Sequence, residues 1–219
     1  LSHVDIAVLL YFRILRHDPV NPMWEDRDRV YWSVRFEDLT IRVVLALAGY
    51  LSIEEALTMQ KAAGRISTGL HGARVAGMEL ESCSCGHKLG IAAGDALRAK
   101  MDGKEYTVFC LMKETDQQDG GVWEAAQFAA SHRLENLVGI VVQSRDEKGE
   151  SPDSPSRIDL LADKYASFGW HVALMNGNNM RECIGVLDSL RNGDASPTVI
   201  IADTAPPVYG AKEEEQIRT

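Results

Sequence analysis

Positive charge is scarce in this chain. Its 219 residues carry 23 Lys and Arg against 32 Asp and Glu, a formal net charge of -9. Non-specific nucleic-acid binding needs a basic face, so that class of function is not expected. Long apolar runs are also missing. None reaches the roughly 18 residues of a membrane-spanning helix. No secretory-leader pattern heads the chain, so the cytoplasm is the expected compartment, although Leu1 is not a methionine and what precedes it stays open. Cysteine is sparse. Four thiols (Cys83, Cys85, Cys110 and Cys183) do not make a disulfide framework in a chain of this length.

What remains is an ordinary water-soluble composition, 45% hydrophobic and 25% charged. The first half reads as helices. "SHVDIAVLLYFRIL" has Ser2 as a plausible N-cap, and Pro19 and Pro22 are expected to end that helix. "FEDLTIRVVLALAGYL" closes at Gly49, and "SIEEALTMQKA" follows. "GHKLGIAAGDALRAKMDG" carries Gly90, Ala92, Ala93 and Gly94, expected to form one smooth face.

The second half alternates. "EYTVFCLM", "NLVGIVVQ", "GWHVALM" and "PTVIIAD" are short runs rich in Val and Ile, separated by helical segments. That order predicts an α/β fold, doubly wound, with a mostly parallel sheet and helices on both faces. Ligands of such sheets bind beyond the carboxyl ends of the strands, which singles out loops 112–121, 143–156, 175–179 and 202–210. Residues 1–210 are expected to form one module, with 211–219 a charged tail.

"AVLLYFRILRHDPVNPMWEDRDRVYWS", "ALAGYLS", "GIAAGDALRAKMDGKEYTVFCLM", "VWEAAQFAASHRLENLVGIV", "LADKYASFGWHV" and "PTVIIADT" together resemble the N-terminal, diphosphate-binding module of transketolases, including stand-alone N-terminal subunits. The resemblance implies a thiamin-diphosphate-binding-like fold and a cofactor, thiamine diphosphate with Mg, held at a chain–chain interface. It also implies a C-terminal transketolase-like partner that carries the pyrimidine-binding module and its activating glutamate, in a heterodimer or heterotetramer. This chain alone is then expected to be inactive, with neither nucleic acid nor membrane as a partner.

The cofactor motifs depart from that pattern. The family's "GDG", whose Asp holds the metal and whose glycines admit the diphosphate, is here Lys113, Glu114 and Thr115. Magnesium demands near-ideal octahedral geometry, and Glu114 is one methylene longer than Asp. The second metal ligand, an Asn, becomes Ser144, with Asp146 nearby as a substitute. The His of "SKGH" becomes Phe36, which has no hydrogen to donate to a phosphate. "TGSLGQG" becomes "SCSCGHK", keeping only Gly86 of three glycines, and "HTVKGKG" becomes "DTAPPVYG", with Asp203 for a His. His71 and Glu79 match a substrate-proximal His and an interface Glu of the family, and both stand as candidate catalytic positions.

Cys83, Cys85 and His87 admit three readings. They are a soft metal site, a thiol nucleophile with His87 or His71 as base, or a loop that merely fills a vacated slot. No metal and no cofactor are expected in the pocket as it stands. Lys113 and Glu114 are expected to pair across the mouth, and Asp116 and Asp119 to serve as helix N-terminal charges. The expected function is that of a transketolase-like subunit unable to hold thiamine diphosphate in the usual way. It is then either a pseudo-subunit or a repurposed pocket lined by Phe36, Cys83, Cys85, His87 and Glu114. The alternative is an active thiamine-diphosphate-dependent two-carbon ketol transferase with altered metal ligands.

Overall fold

The structure, a computed structural model, describes residues 3–32, 39–56, 77, 79, 86–144, 157–190 and 195–204, with backbone only at 39, 40, 144 and 157. Its centre is a five-stranded sheet: β1 (Arg29–Trp32), β2 (Val108–Lys113), β3 (Leu137–Ser144), β4 (His171–Asn176) and β5 (Thr198–Thr204). The spatial order is β1-β2-β3-β5-β4 and every pairing is parallel. The four strands expected from the apolar runs are present. The fifth, β1, lies in "DRDRVYWS", where four residues are too few to show a period. It is a strand because it pairs with β2, Arg29 opposite Val108 and Trp32 opposite Leu111.

Each face of the sheet carries its own apolar core. Trp32, Phe109, Leu111, Ile140 and Ile200 meet α1 (Val4–Leu9), α2 (Leu39–Leu47) and α6 (Met180–Ser189). Cys110, Met112, Val141, Val199 and Ile201 meet α3 (His87–Met101), α4 (Gly120–Ser131) and α5 (Arg157–Ser167). From β2 to β3 to β4 the chain steps one way across the sheet with α4 and α5 on one face. The step back to β5 puts α6 on the other, as right-handed crossovers require.

Local sequence explains the ends of these elements, with two corrections. α2 closes as expected at Gly49, whose φ of 93° is the left-handed form a side chain resists. Gly49 donates to the Ala46 carbonyl at 3.0 Å and Tyr50 to the Leu45 carbonyl at 3.0 Å, the paired bonds of a Schellman stop. The first helix begins differently from expectation. Its N-cap is His3, without a capping side-chain bond, and Ser2 lies outside the described residues. After Leu9 it widens into a π turn (Leu10–Ile14) and stops at Leu15, well before the prolines. There Leu15 turns extended, and the Arg16 amide donates to Asp28 Oδ2 at 2.7 Å.

Candidate functional site

The carboxyl edge of the sheet brings together the ends of β2, β3, β4 and β5 and the first turn of α3. β2 delivers Lys113 straight into a 3-10 turn, Glu114–Gln118. Asp116, 1% exposed, folds back so that its Oδ2 accepts the Lys113 amide hydrogen at 2.7 Å. Gln117 is buried behind it. The Tyr165 hydroxyl donates to Gln117 Oε1 at 2.8 Å, and the Gln117 amide nitrogen donates to the Lys113 carbonyl at 3.4 Å. Trp123 Nε1 donates to the Gln117 carbonyl at 2.9 Å. The turn is thus tied to β2, α4 and α5 at once. Lys113 and Glu114 are half-buried and Thr115 is exposed.

Asp119 meets its expectation as the N-cap of α4, accepting from Gly121 N at 3.0 Å. Asp116 meets it one helix earlier, in the first turn of the 3-10 helix, where its side chain accepts from the N-cap amide of Lys113. The carboxylate that accepts the Lys113 backbone amide is that of Asp116.

The start of α3 touches this turn. A Cβ on Gly86, the N-cap, would lie 2.1 Å from the Asp119 carboxyl carbon, so only glycine fits without moving that cap. His87 points to solvent, while Lys88 has 0% of its surface exposed. The Cys110 thiol is pushed up to about 12, mostly by burial. Lys88 pulls it down and Asp116 pushes it up, so both charges stand near β2. The expected smooth face divides in two. Ala92 and Ala93 are buried and Gly90 lies 3.9 Å from Ala125, but Gly94 has nothing within 4 Å.

Across the sheet, Ser144 ends β3 opposite Thr204 of β5. Gly177 N donates to the Asp203 carbonyl at 2.7 Å, closing the turn after β4. Glu79 is held by Arg27, Nη2 to Oε2 at 2.8 Å with a second Nη1–Oε1 contact, and the two side chains are 10% and 11% exposed. Burial works against the Arg27 charge, but the hydrogen bonds and charge of Glu79 outweigh it and raise the guanidinium above its ordinary value. Both Glu79 oxygens face a guanidinium, so this geometry suits a structural anchor better than a proton acceptor.

Phe36, His71, Cys83, Cys85 and Asp146 lie outside the described residues. Among the described residues, no three His, Cys, Asp or Glu side chains are grouped to share a metal. Likewise, no helix among them is long and apolar enough to cross a membrane. The residues the sequence did not single out are Gln117 and Tyr165, buried behind Asp116. Tyr165 is 48 positions from its partner, and nothing in local spacing announces that bond.

A parallel sheet in this order, with helices on both faces, defines a doubly wound α/β module. The family model described as transketolase, thiamine diphosphate binding domain, matches residues 1–216, and the chain belongs to that family. It is 28% identical over 204 residues to the 6-deoxy-6-sulfo-D-fructose transketolase subunit SqwG of Clostridium sp. (strain MSTE9), covering 93% of this chain and 74% of the relative. It is 30% identical to an apulose-4-phosphate transketolase subunit of Phocaeicola vulgatus, covering 93% of this chain and 72% of that one. Among solved structures it is similar to transketolase from Campylobacter jejuni, with 25% identity and a TM-score of 0.73 over 91% of this chain and 32% of that one. The chain therefore spans about a third of that full-length transketolase.

Proposed function

We propose that this chain is one subunit of a two-chain, transketolase-like assembly, and that its diphosphate mouth does not accept thiamine diphosphate and magnesium in the usual way. Relatives of similar extent named as transketolase subunits support the first part. A partner bearing the pyrimidine-binding module then completes the interface.

The turn after β2 carries the second part. A diphosphate bound by backbone needs free amide hydrogens and room beside them. Here the Lys113 amide is taken by Asp116, and residues 113–119 contain no glycine. The side chains of Lys113, Glu114 and Thr115 stand where clearance is required. The residues present do not fit a metal-held diphosphate in the family's pose.

Calorimetry with thiamine diphosphate and magnesium, with and without the partner, tests this. No saturable heat is expected. Sub-micromolar binding at one site per chain pair would overturn it.

The names of the same relatives favour a second reading, an active two-carbon ketol transferase. In that case Glu114, with Ser144 or Asp146, would hold the metal. The same titration separates the two.

A further inference from the structure

A cleft of about 410 Å³ opens at the amino edge of the sheet, where β2 and β3 begin. It lies on the face covered by α1, α2 and α6. The mouth is at the other end of the same strands, about 20 Å away for the six residues of β2. A cleft of this volume is in the range of small-molecule sites, which combine apolar walls with a few placed polar groups. The floor here is apolar. Ile14, Phe109, Val138 and Leu187 are buried in it, and Leu190, the C-cap of α6, closes one side.

The rim carries both signs of charge. The Arg16 side chain is 44% exposed, and its Nη2 donates to the Glu105 carbonyl at 2.6 Å. Glu105 itself is exposed and on the same rim, so the guanidinium touches the main chain of the residue that brings a carboxylate. Asp28 braces this corner from below. It is 6% exposed, and it accepts the Arg16 amide at 2.7 Å and the Thr107 amide at 2.8 Å. Its Oδ1 stands 3.6 Å from Arg16 Nη2, which holds the guanidinium over the floor. Across the cleft, Glu135 is engaged by Lys100 at 2.8 Å.

An apolar floor beneath a neighbouring guanidinium and carboxylate matches a molecule with three parts. It needs an apolar body, a carboxylate for the guanidinium and an ammonium for the carboxylate. A free α-amino acid carries both charges on one carbon, as close together as the two rim groups. A simple anion or a simple cation would leave one rim charge facing an apolar ligand.

We propose that this cleft is a second ligand site, for a free α-amino acid with an aliphatic or aromatic side chain. Arg16 receives its carboxylate, Glu105 its ammonium and the apolar floor its side chain. The site does not depend on whether the mouth holds a diphosphate.

Calorimetric titration of the full chain with leucine and with phenylalanine tests the proposal. Saturable binding of one molecule per chain is expected for at least one of them. Glycine, isocaproate and isoamylamine each lack one of the three parts, and each should bind about tenfold or more weakly. Glu105→Gln and Arg16→Met should weaken binding of the amino acid by a similar factor. Should Arg16→Met fail to fold, the exposed Glu105→Gln gives the reading alone. No saturable heat with either amino acid overturns the site. Equal binding of isocaproate or isoamylamine, or unchanged affinity in Glu105→Gln, overturns the assignment of its ligand.

Discussion

Arg27 with Glu79, and the turn Lys113–Gln118 with Lys88, are two charged regions of one sheet that follow opposite rules. Arg27 and Glu79 sit in segments where the transketolase likeness holds. They form a near-buried bidentate pair, and the Glu79 charge adds to the burial that raises the hydroxyls of Tyr11, Tyr31 and Tyr50. The turn after β2 sits where the likeness fails, yet it is no less ordered by hydrogen bonds. The difference teaches that packing and cofactor chemistry constrain this fold separately. Replacing one glycine turn by a self-satisfied one leaves both apolar cores intact.

The contrast can be broken first on the side where the likeness holds. Arg27→Ala strands Glu79 in a nearly buried position, and removing one partner of such a pair costs about 3–5 kcal/mol. Urea unfolding should show that loss, and the double replacement Arg27→Met with Glu79→Leu should recover much of it. A loss below about 1 kcal/mol would make the anchor a surface pair in effect.

On the other side, Tyr165→Phe removes the donor to Gln117 Oε1 and leaves a buried acceptor unmet, for about 1–3 kcal/mol. The same denaturant curves read it, and no change would show that the turn does not depend on α5.

Gly86→Ala is expected to cost about 1 kcal/mol, the worth of the Asp119 cap that its Cβ displaces. Placed on an Asp119→Ala background it should cost almost nothing more. A full additional loss there would mean that the clash falls on backbone.

The smallest effect concerns acid. The Lys100 ammonium, hydrogen-bonded to Glu135 at 2.8 Å, holds that carboxyl below its ordinary value. A lowered carboxyl contributes stability above its unfolded pKa of about 4.3 and loses it as pH falls through the folded value. The two side chains are 39% and 48% exposed, so screening keeps the effect well under about 1 kcal/mol. Glu135→Gln should therefore be slightly less stable than the wild type above that carboxylate range, and acid unfolding should show the two converging as pH falls below it.

Much of the architecture was legible beforehand. Four Val- and Ile-rich runs between helices announce a parallel sheet, and Gly49 announces the stop of α2. β1 was hidden because Arg29–Trp32 is brief and follows a charged run, so that only its partner strand makes it extended. The π turn at Leu10–Ile14 was hidden too, since the apolar spacing there reads as an ordinary helix. At the site, residue identity located Lys113, Glu114 and Thr115 at the right edge. It did not tell which helix Asp116 would serve, since the 3-10 helix that follows β2 has no signature of its own. Cys110 read correctly as a small buried hydrophobe.

The Trp123 indole offers a use of another kind. It donates to the Gln117 carbonyl at 2.9 Å and stacks on Phe168 with ring centres 5.9 Å apart. Its emission is therefore wired to the geometry of the turn at the sheet edge. Whatever opens that turn, whether a ligand, a partner chain or a substituted residue, must disturb the indole hydrogen bond as it does so. The protein carries its own optical gauge of the mouth, and a spectral shift lost in Trp123→Phe would report its opening without any added label.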